Sequence, residues 1–155
     1  MLVIITAKYL IGLSALGTAW VIFTATKDKR LRLMAELVVA SIIAVLLSKL
    51  LAHLYYDPRP FVSRHLAPLF PHDPDNGFPS DHTTLSMLVA LAVLPYSRNV
   101  GIGLVLVSLA IGLARIAALV HSPIDIAGSV AIAAVSVLCA RLIVARIRGT
   151  KEKPA

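Results

Sequence analysis

Five long apolar runs leave this chain few folds to choose from. Residues 2–23 are broken only by Lys8, and about 33–54 carry Glu36 near one end and Lys49 near the other. About 82–94 form a shorter run, 100–120 hold Arg115, and about 124–144 form the last. A helix needs about 20 mostly apolar residues to cross a bilayer. Irregular backbone is costly there, and strict apolar–polar alternation, the mark of a membrane barrel, is missing. The runs predict an all-α polytopic membrane helix bundle of about five transmembrane helices. Composition agrees: at 155 residues, 58% hydrophobic and mean hydropathy +0.85, a soluble domain could not cover its surface with polar groups. The formal net charge of +7 therefore points to membrane topology, not to nucleic acid. A single cysteine, Cys139, excludes an internal disulfide and a thiolate metal site. The first run lacks a basic start and a small-residue cleavage site, so it reads as a span, not a cleaved signal. Residues 1–148 read as one membrane-embedded domain and 149–155 as a polar tail.

Basic residues mark cytoplasmic loops. Lys27, Lys29, Arg30 and Arg32 follow the first run, Arg98 follows the third, and Arg146, Arg148, Lys151 and Lys153 follow the fifth. The other side has Arg59 and Arg64, offset by Asp57, Asp73 and Asp75. The N-terminus is thus expected outside and the C-terminus in the cytoplasm. The loop 55–81 and the junction 121–123 then share the extracytoplasmic side of the cell membrane.

Three polar clusters meet on that side. Lys49 lies five residues before the end of the second run and Arg115 five before the end of the fourth, about 7–9 Å below the face at 1.5 Å per residue. Two cations at one depth suit an anion pocket, although snorkelling to the headgroups accounts equally for Lys49. Lys8 has no such neighbours and reads as a snorkelling residue. Ser80 is placed to cap the third helix, with Asp81 and His82 in its first turn, where free N–H groups and the helix dipole favour an anion. A plain cap beside an interfacial histidine is the other reading. Ser122-Pro123-Ile124-Asp125 has capping-box spacing, a structural role, yet Asp125 also follows His121 by four residues, where a carboxylate orients an imidazole. An oriented neutral imidazole is a nucleophile toward phosphorus. Together the clusters supply nucleophile, orienter, proton donor and three cations.

These clusters resemble the type 2 phosphatidic acid phosphatase family over residues 49–128. Its lysine followed by Arg-Pro is matched by Lys49 and Arg59-Pro60, and its Pro-Ser-Gly-His by Pro79-Ser80-Asp81-His82. Its Ser-Arg, His and Asp series is matched by Arg115, His121 and Asp125. The stretches 56–62 and 78–84 are similar to the undecaprenyl-diphosphatase branch, the bacitracin-resistance type, in which aspartate stands where Asp81 does. Two positions depart from the family: the Lys49–Arg59 gap is longer than usual, and Ala114 replaces the serine.

The resemblance implies a hydrolase using no metal or other cofactor, acting on a polyprenyl diphosphate in the bilayer. It implies His121 as nucleophile, Asp125 as its orienter, His82 as acid, and Lys49, Arg59, Ser80, Asp81 and Arg115 about the phosphate. Asp81 is expected to keep His82 protonated. Tyr55, Tyr56 and Phe61 read as interfacial anchors. Rival readings are a phosphatidate, phosphatidylglycerophosphate or lipid A phosphatase, a metal site built from His65, His72, Asp73, Asp75 and His82, a small anion transporter, and an inactive lipid-binding scaffold.

Overall fold

The computed structural model describes residues 1–151, and these are all-α. In chain order the helices are α1 (Leu2–Tyr9), α2 (Ile11–Thr24), α3 (Lys27–Leu54), α4 (Pro60–Ser63), α5 (Asp81–Val93), α6 (Arg98–Ala117) and α7 (Pro123–Lys151). By length and composition α3, α6 and α7 can each cross a membrane, and α1 with α2 makes a fourth candidate. The last helix continues through residues 149–151, where a polar tail is expected; residues 152–155 lie outside the described ones.

The first apolar run is not one straight rod. It breaks at Leu10 and bends by 46°, with Leu13 N–H closing a tight i,i+3 bond to the Leu10 carbonyl at 3.0 Å, a pattern that interrupts the α-helical ladder. Lys8, in the last turn of α1, lies over the ring of Phe70, with Nζ 4.8 Å from its centroid. Lys8 thus has a cation–π partner in the loop above the bundle, a neighbour the sequence does not reveal.

Large apolar side chains lie on both sides of the packing: Trp20, Phe23, Leu106 and Leu142 face outward, while Leu33, Leu88 and Ile111 are buried. Where helices meet, the interior also holds many small and hydroxyl residues: Ser14, Ala40, Ala44, Thr83, Ser86, Ala90, Ser108, Gly112, Ala133 and Ala140. In lipid there is no hydrophobic gain from bringing helices together, so close backbone approach and hydrogen bonds do it. The Ser86 and Ser108 hydroxyls bond at 2.8 Å between α5 and α6. Ser129 Oγ on α7 accepts from Ser80 N–H at 2.9 Å at the start of α5. Helix α5 packs against α2, α3, α6 and α7, which is why so short a helix sits at the centre.

At one end of the bundle Glu36 is fully buried. It accepts from Arg32 Nε at 2.9 Å and lies 3.7 Å from Arg141 Nε. Arg141 also donates to the Leu91 carbonyl on α5, so this knot joins α3, α5 and α7. At the other end the loop between α4 and α5 closes over the ends of α3, α5, α6 and α7, and there the polar residues collect.

Candidate active site

Two local features carry the histidine between α6 and α7 into the interior. Leu119 adopts a left-handed conformation, φ 63°, uncommon for a residue with a side chain, and its carbonyl accepts from Phe61 N–H at 3.0 Å. The chain then turns into α7 through a true capping box. Ser122 N–H donates to Asp125 Oδ2 at 2.8 Å and Asp125 N–H to Ser122 Oγ at 3.3 Å. His121, between the turn and the cap, is 2% exposed.

Its ring is oriented by two acceptors. Nδ1 lies 2.8 Å from the Gly77 carbonyl and 3.2 Å from Asp125 Oδ2. A carbonyl only accepts, so the proton sits on Nδ1 and Nε2 presents its lone pair. Guanidinium groups only donate, and they meet that lone pair: Arg115 Nη2 at 3.1 Å and Arg59 Nη1 at 3.5 Å. Asp125 thus serves its cap and the imidazole with one oxygen.

Gly77 is held by Asn76. The Asn76 side chain accepts from the N–H groups of Asp57 and Phe78 and donates to the carbonyls of Ala52 and Tyr55, all within 3.0 Å. Gly77 N–H also donates to the Asp57 carbonyl at 2.8 Å. These bonds tie the loop to the end of α3 with the Gly77 carbonyl facing inward. No motif pointed to Asn76 or Gly77; the one available signal is that Asn-Gly marks turns.

The two arginines are held differently. Arg59, buried, donates to the Asp75 carboxylate at 2.7 Å and to the Val120 carbonyl at 2.7 Å. Arg115, also buried, has two neutral partners, His121 Nε2 and His72 Nε2, both at 3.1 Å.

A cavity of ≈ 450 Å³ opens beside these groups. Lys49, Arg59, Asp81, His82, Arg115 and His121 line it, with His72 and Asp75. Ser80 occupies the cap position but makes no capping bond. It is fully buried and is not among the residues that line the cavity, its hydroxyl accepting from Thr83 at 3.2 Å. Asp125 likewise stands behind His121. Phe61 packs against the buried cluster of Ala114, Ala118 and Val120, while Tyr56 is exposed. Among the described residues no three of His, Cys, Asp and Glu come together as metal ligands do.

Burial and the nearby guanidinium groups set the charges. Burial first, then Arg59, Arg115 and His121, lowers the His72 pKa to about 4, against an opposing pull from Asp75. Burial also lowers that of His121; Asp125 opposes it and the two arginines reinforce it. Burial alone would raise the Asp75 pKa, but the hydrogen bond and charge of Arg59 bring it below the usual value. Near neutral pH the site thus holds a neutral imidazole lone pair ringed by cationic donors. That arrangement suits in-line attack on a tetrahedral oxyanion whose charge the donors stabilise. Replacing Asp125 by Asn leaves the Gly77 carbonyl to keep the tautomer, so kcat should fall only about 10- to 100-fold, short of the ~10⁴ seen where a carboxylate alone fixes it. Single-turnover kinetics would check this.

Residues 33–148 match the PAP2 superfamily. Undecaprenyl-diphosphatase BcrC of Bacillus subtilis (strain 168) is 33% identical over 132 residues, which make up 85% of this chain and 67% of that protein. Bacitracin transport permease protein BcrC of Bacillus licheniformis is 31% identical over 134 residues, 85% of this chain and 65% of that protein. The chain thus spans about two thirds of the length of these relatives. No solved structure matches it.

Proposed function

The chain belongs to the PAP2 superfamily, and on that footing we propose that it is a membrane lipid phosphatase cleaving undecaprenyl diphosphate to undecaprenyl phosphate and phosphate. The observation that carries this reading is the His121 lone pair, oriented from behind by Gly77 and Asp125 and faced by Arg115 and Arg59. An anion path would have no use for an imidazole oriented in this way, so the geometry favours hydrolysis over transport, the two functions in the relatives' names.

His121 Nε2 attacks the terminal phosphorus while the bond to the bridging oxygen breaks. His82 gives its proton to the departing lipid phosphate, leaving a phosphohistidine. His82 then takes a proton from water, whose oxygen attacks phosphorus, and the P–N bond breaks to release phosphate and restore His121. Arg115 and Arg59 bind the non-bridging oxygens, and Lys49, at the cavity's edge, adds charge. The N-terminal turn of α5, at Asp81 and His82, adds its dipole.

A second cavity, ≈ 370 Å³, runs between α3 and α5 and shares Ser48, Lys49 and Asp81 with the first. Its other lining includes Ala44, Val45, Leu85 and Leu88, an apolar slot in which the prenyl tail lies while its diphosphate reaches His121. The short α5 completes a fifth crossing. The basic segments face the cytoplasm, so the site opens outside the cell membrane, where the carrier lipid is recycled for wall synthesis.

The test is phosphate release by detergent-purified protein in EDTA, from undecaprenyl diphosphate with phosphatidic acid alongside. Preferential release from the prenyl lipid supports the reading, and release mainly from the glycerolipid overturns the substrate. No release from either overturns the enzyme. The same assay from pH 4 to 9 should give a bell. His121 must be neutral to attack, and its pKa is lowered, so the acid limb should fall below the ordinary histidine value of about 6.5. A profile flat across the range would contradict the two histidine roles.

A further inference from the structure

We propose that His72 is a positioning residue for the phosphate-binding arginine Arg115; the proposal rests on the phosphatase reading above. The two guanidinium groups differ in what holds them. Arg59 is bonded to a carboxylate and a backbone carbonyl, so its direction is fixed and its charge is half-answered before any substrate arrives. Arg115 is buried, its Nε has no hydrogen-bond partner, and its Nη2 donates to two imidazole nitrogens. Neutral acceptors hold it without an ion pair; Asp81, on the same cavity, is the nearest acidic influence on it, so more of its charge than of Arg59's is left for the phosphoryl oxygens.

The two imidazoles have different fates during the reaction. His121 Nε2 must give up its bond to Arg115 before its lone pair can reach phosphorus. The N–H it releases is then free to turn to a phosphate oxygen. His72 keeps its bond throughout. It lies 6.3 Å from His121, ring to ring, and nearly perpendicular at 74°, so the Nη2 group stands between the two rings. With His72 in place Arg115 pivots about a fixed hydrogen bond. Without it, Arg115 has the nucleophile's lone pair as its one remaining hydrogen-bond acceptor among the described residues, and the Phe70 ring, 5.7 Å from its Cζ, gives it a face to stack on but no bond to set its direction toward phosphate.

His72 can do this because it stays neutral. Burial and the adjoining Arg59 and Arg115 keep it so, and an arginine donor on Nε2 requires the proton to be on Nδ1. A carboxylate in the same place would hold Arg115 more tightly but answer its charge. The choice of imidazole at this point is therefore chemical, and it lies outside the three motifs.

The experiment compares wild type with His72→Ala, His72→Gln and His72→Glu, using undecaprenyl diphosphate and phosphatidic acid in detergent, with His121→Ala as control. For His72→Ala we expect kcat to fall roughly 10- to 100-fold, as small misplacements of catalytic groups do, with KM changed by less than about threefold. His72→Gln supplies a neutral acceptor and should recover most of the lost kcat. His72→Glu should raise KM by about tenfold or more, because it gives Arg115 the carboxylate that Arg59 already has; a neutral acceptor would leave KM alone. Unchanged kcat in His72→Ala overturns the proposal, as does an equal fall in the Ala and Gln variants or a Glu variant that behaves like Gln. Thermal unfolding of each variant identifies any that does not fold. A wild type cleaving phosphatidic acid alone overturns only the substrate, with the His72 comparison read on that lipid. A wild type cleaving neither lipid overturns both readings.

Discussion

His121→Ala should abolish steady-state turnover, lowering kcat by at least about 10³-fold, the scale on which loss of a nucleophile is felt. No other group can take over. His72 is directed at Arg115 through its Nε2, and His82, on α5, has no acceptor comparable to Gly77 behind it among the described residues. The variant should still fold: His121 contributes bonds to Gly77, Asp125 and the arginines, while the capping box between Ser122 and Asp125 survives without it. Rapid quenching with a ³²P-labelled diphosphate should trap label on the wild-type protein, acid-labile as a phosphoramidate is, and none on the variant. Label of equal amount on both would remove His121 from the mechanism.

The second large effect is expected from a residue with no functional group. A Cβ on Gly77 would lie 2.8 Å from Asp125 Oδ2 and 3.1 Å from the Asp57 carbonyl, and real Cβ atoms do not approach so closely. Either Asp125 moves off the imidazole or the loop lifts and takes the Gly77 carbonyl with it. Both acceptors of the Nδ1 proton are thus disturbed by one methyl group. Gly77→Ala should lower kcat by about 10²-fold or more, on the same order as other misplacements of catalytic groups. Asp125→Asn, which disturbs one acceptor, should cost less than Gly77→Ala in the same assay. The reverse order would mean that the carboxylate alone orients the nucleophile.

These two residues also show what was legible before the structure. His121 and Asp125 stand out because their spacing is chemical and local: four residues across a helix start bring a carboxylate to an imidazole whatever the rest of the chain does. The apolar runs are legible for the same reason, since hydropathy is a property of each segment. Gly77 and His72 act through the path of the 55–80 loop, and that path is set by Asn76 bonding to residues 19, 21 and 24 positions earlier. No local pattern encodes such a staple. Leu119 is harder still, because its side chain disfavours the conformation it adopts; the surrounding contacts impose it. Ser80 was legible as a helix start, but its hydrogen bonds to Ser129 on α7 join two helices that no local pattern connects. The bend at Leu10 belongs to the same class: no proline announces it, and Lys8 and Gly12 on either side are each compatible with a straight helix.

The Glu36 knot has a practical consequence. Glu36 and Lys49 are thirteen residues apart on α3, about 20 Å at 1.5 Å per residue, so the ion cluster and the cavity beside His121 lie toward opposite ends of the helices they share. Energetic effects of changes that far apart are expected to sum independently. A library of substitutions could therefore be sorted by position along one helix axis: those near Arg32, Glu36 and Arg141 would register in melting temperature, and those near His121 in turnover. Engineers could then reinforce the first group to tolerate losses incurred in the second, altering lipid preference without sacrificing expression.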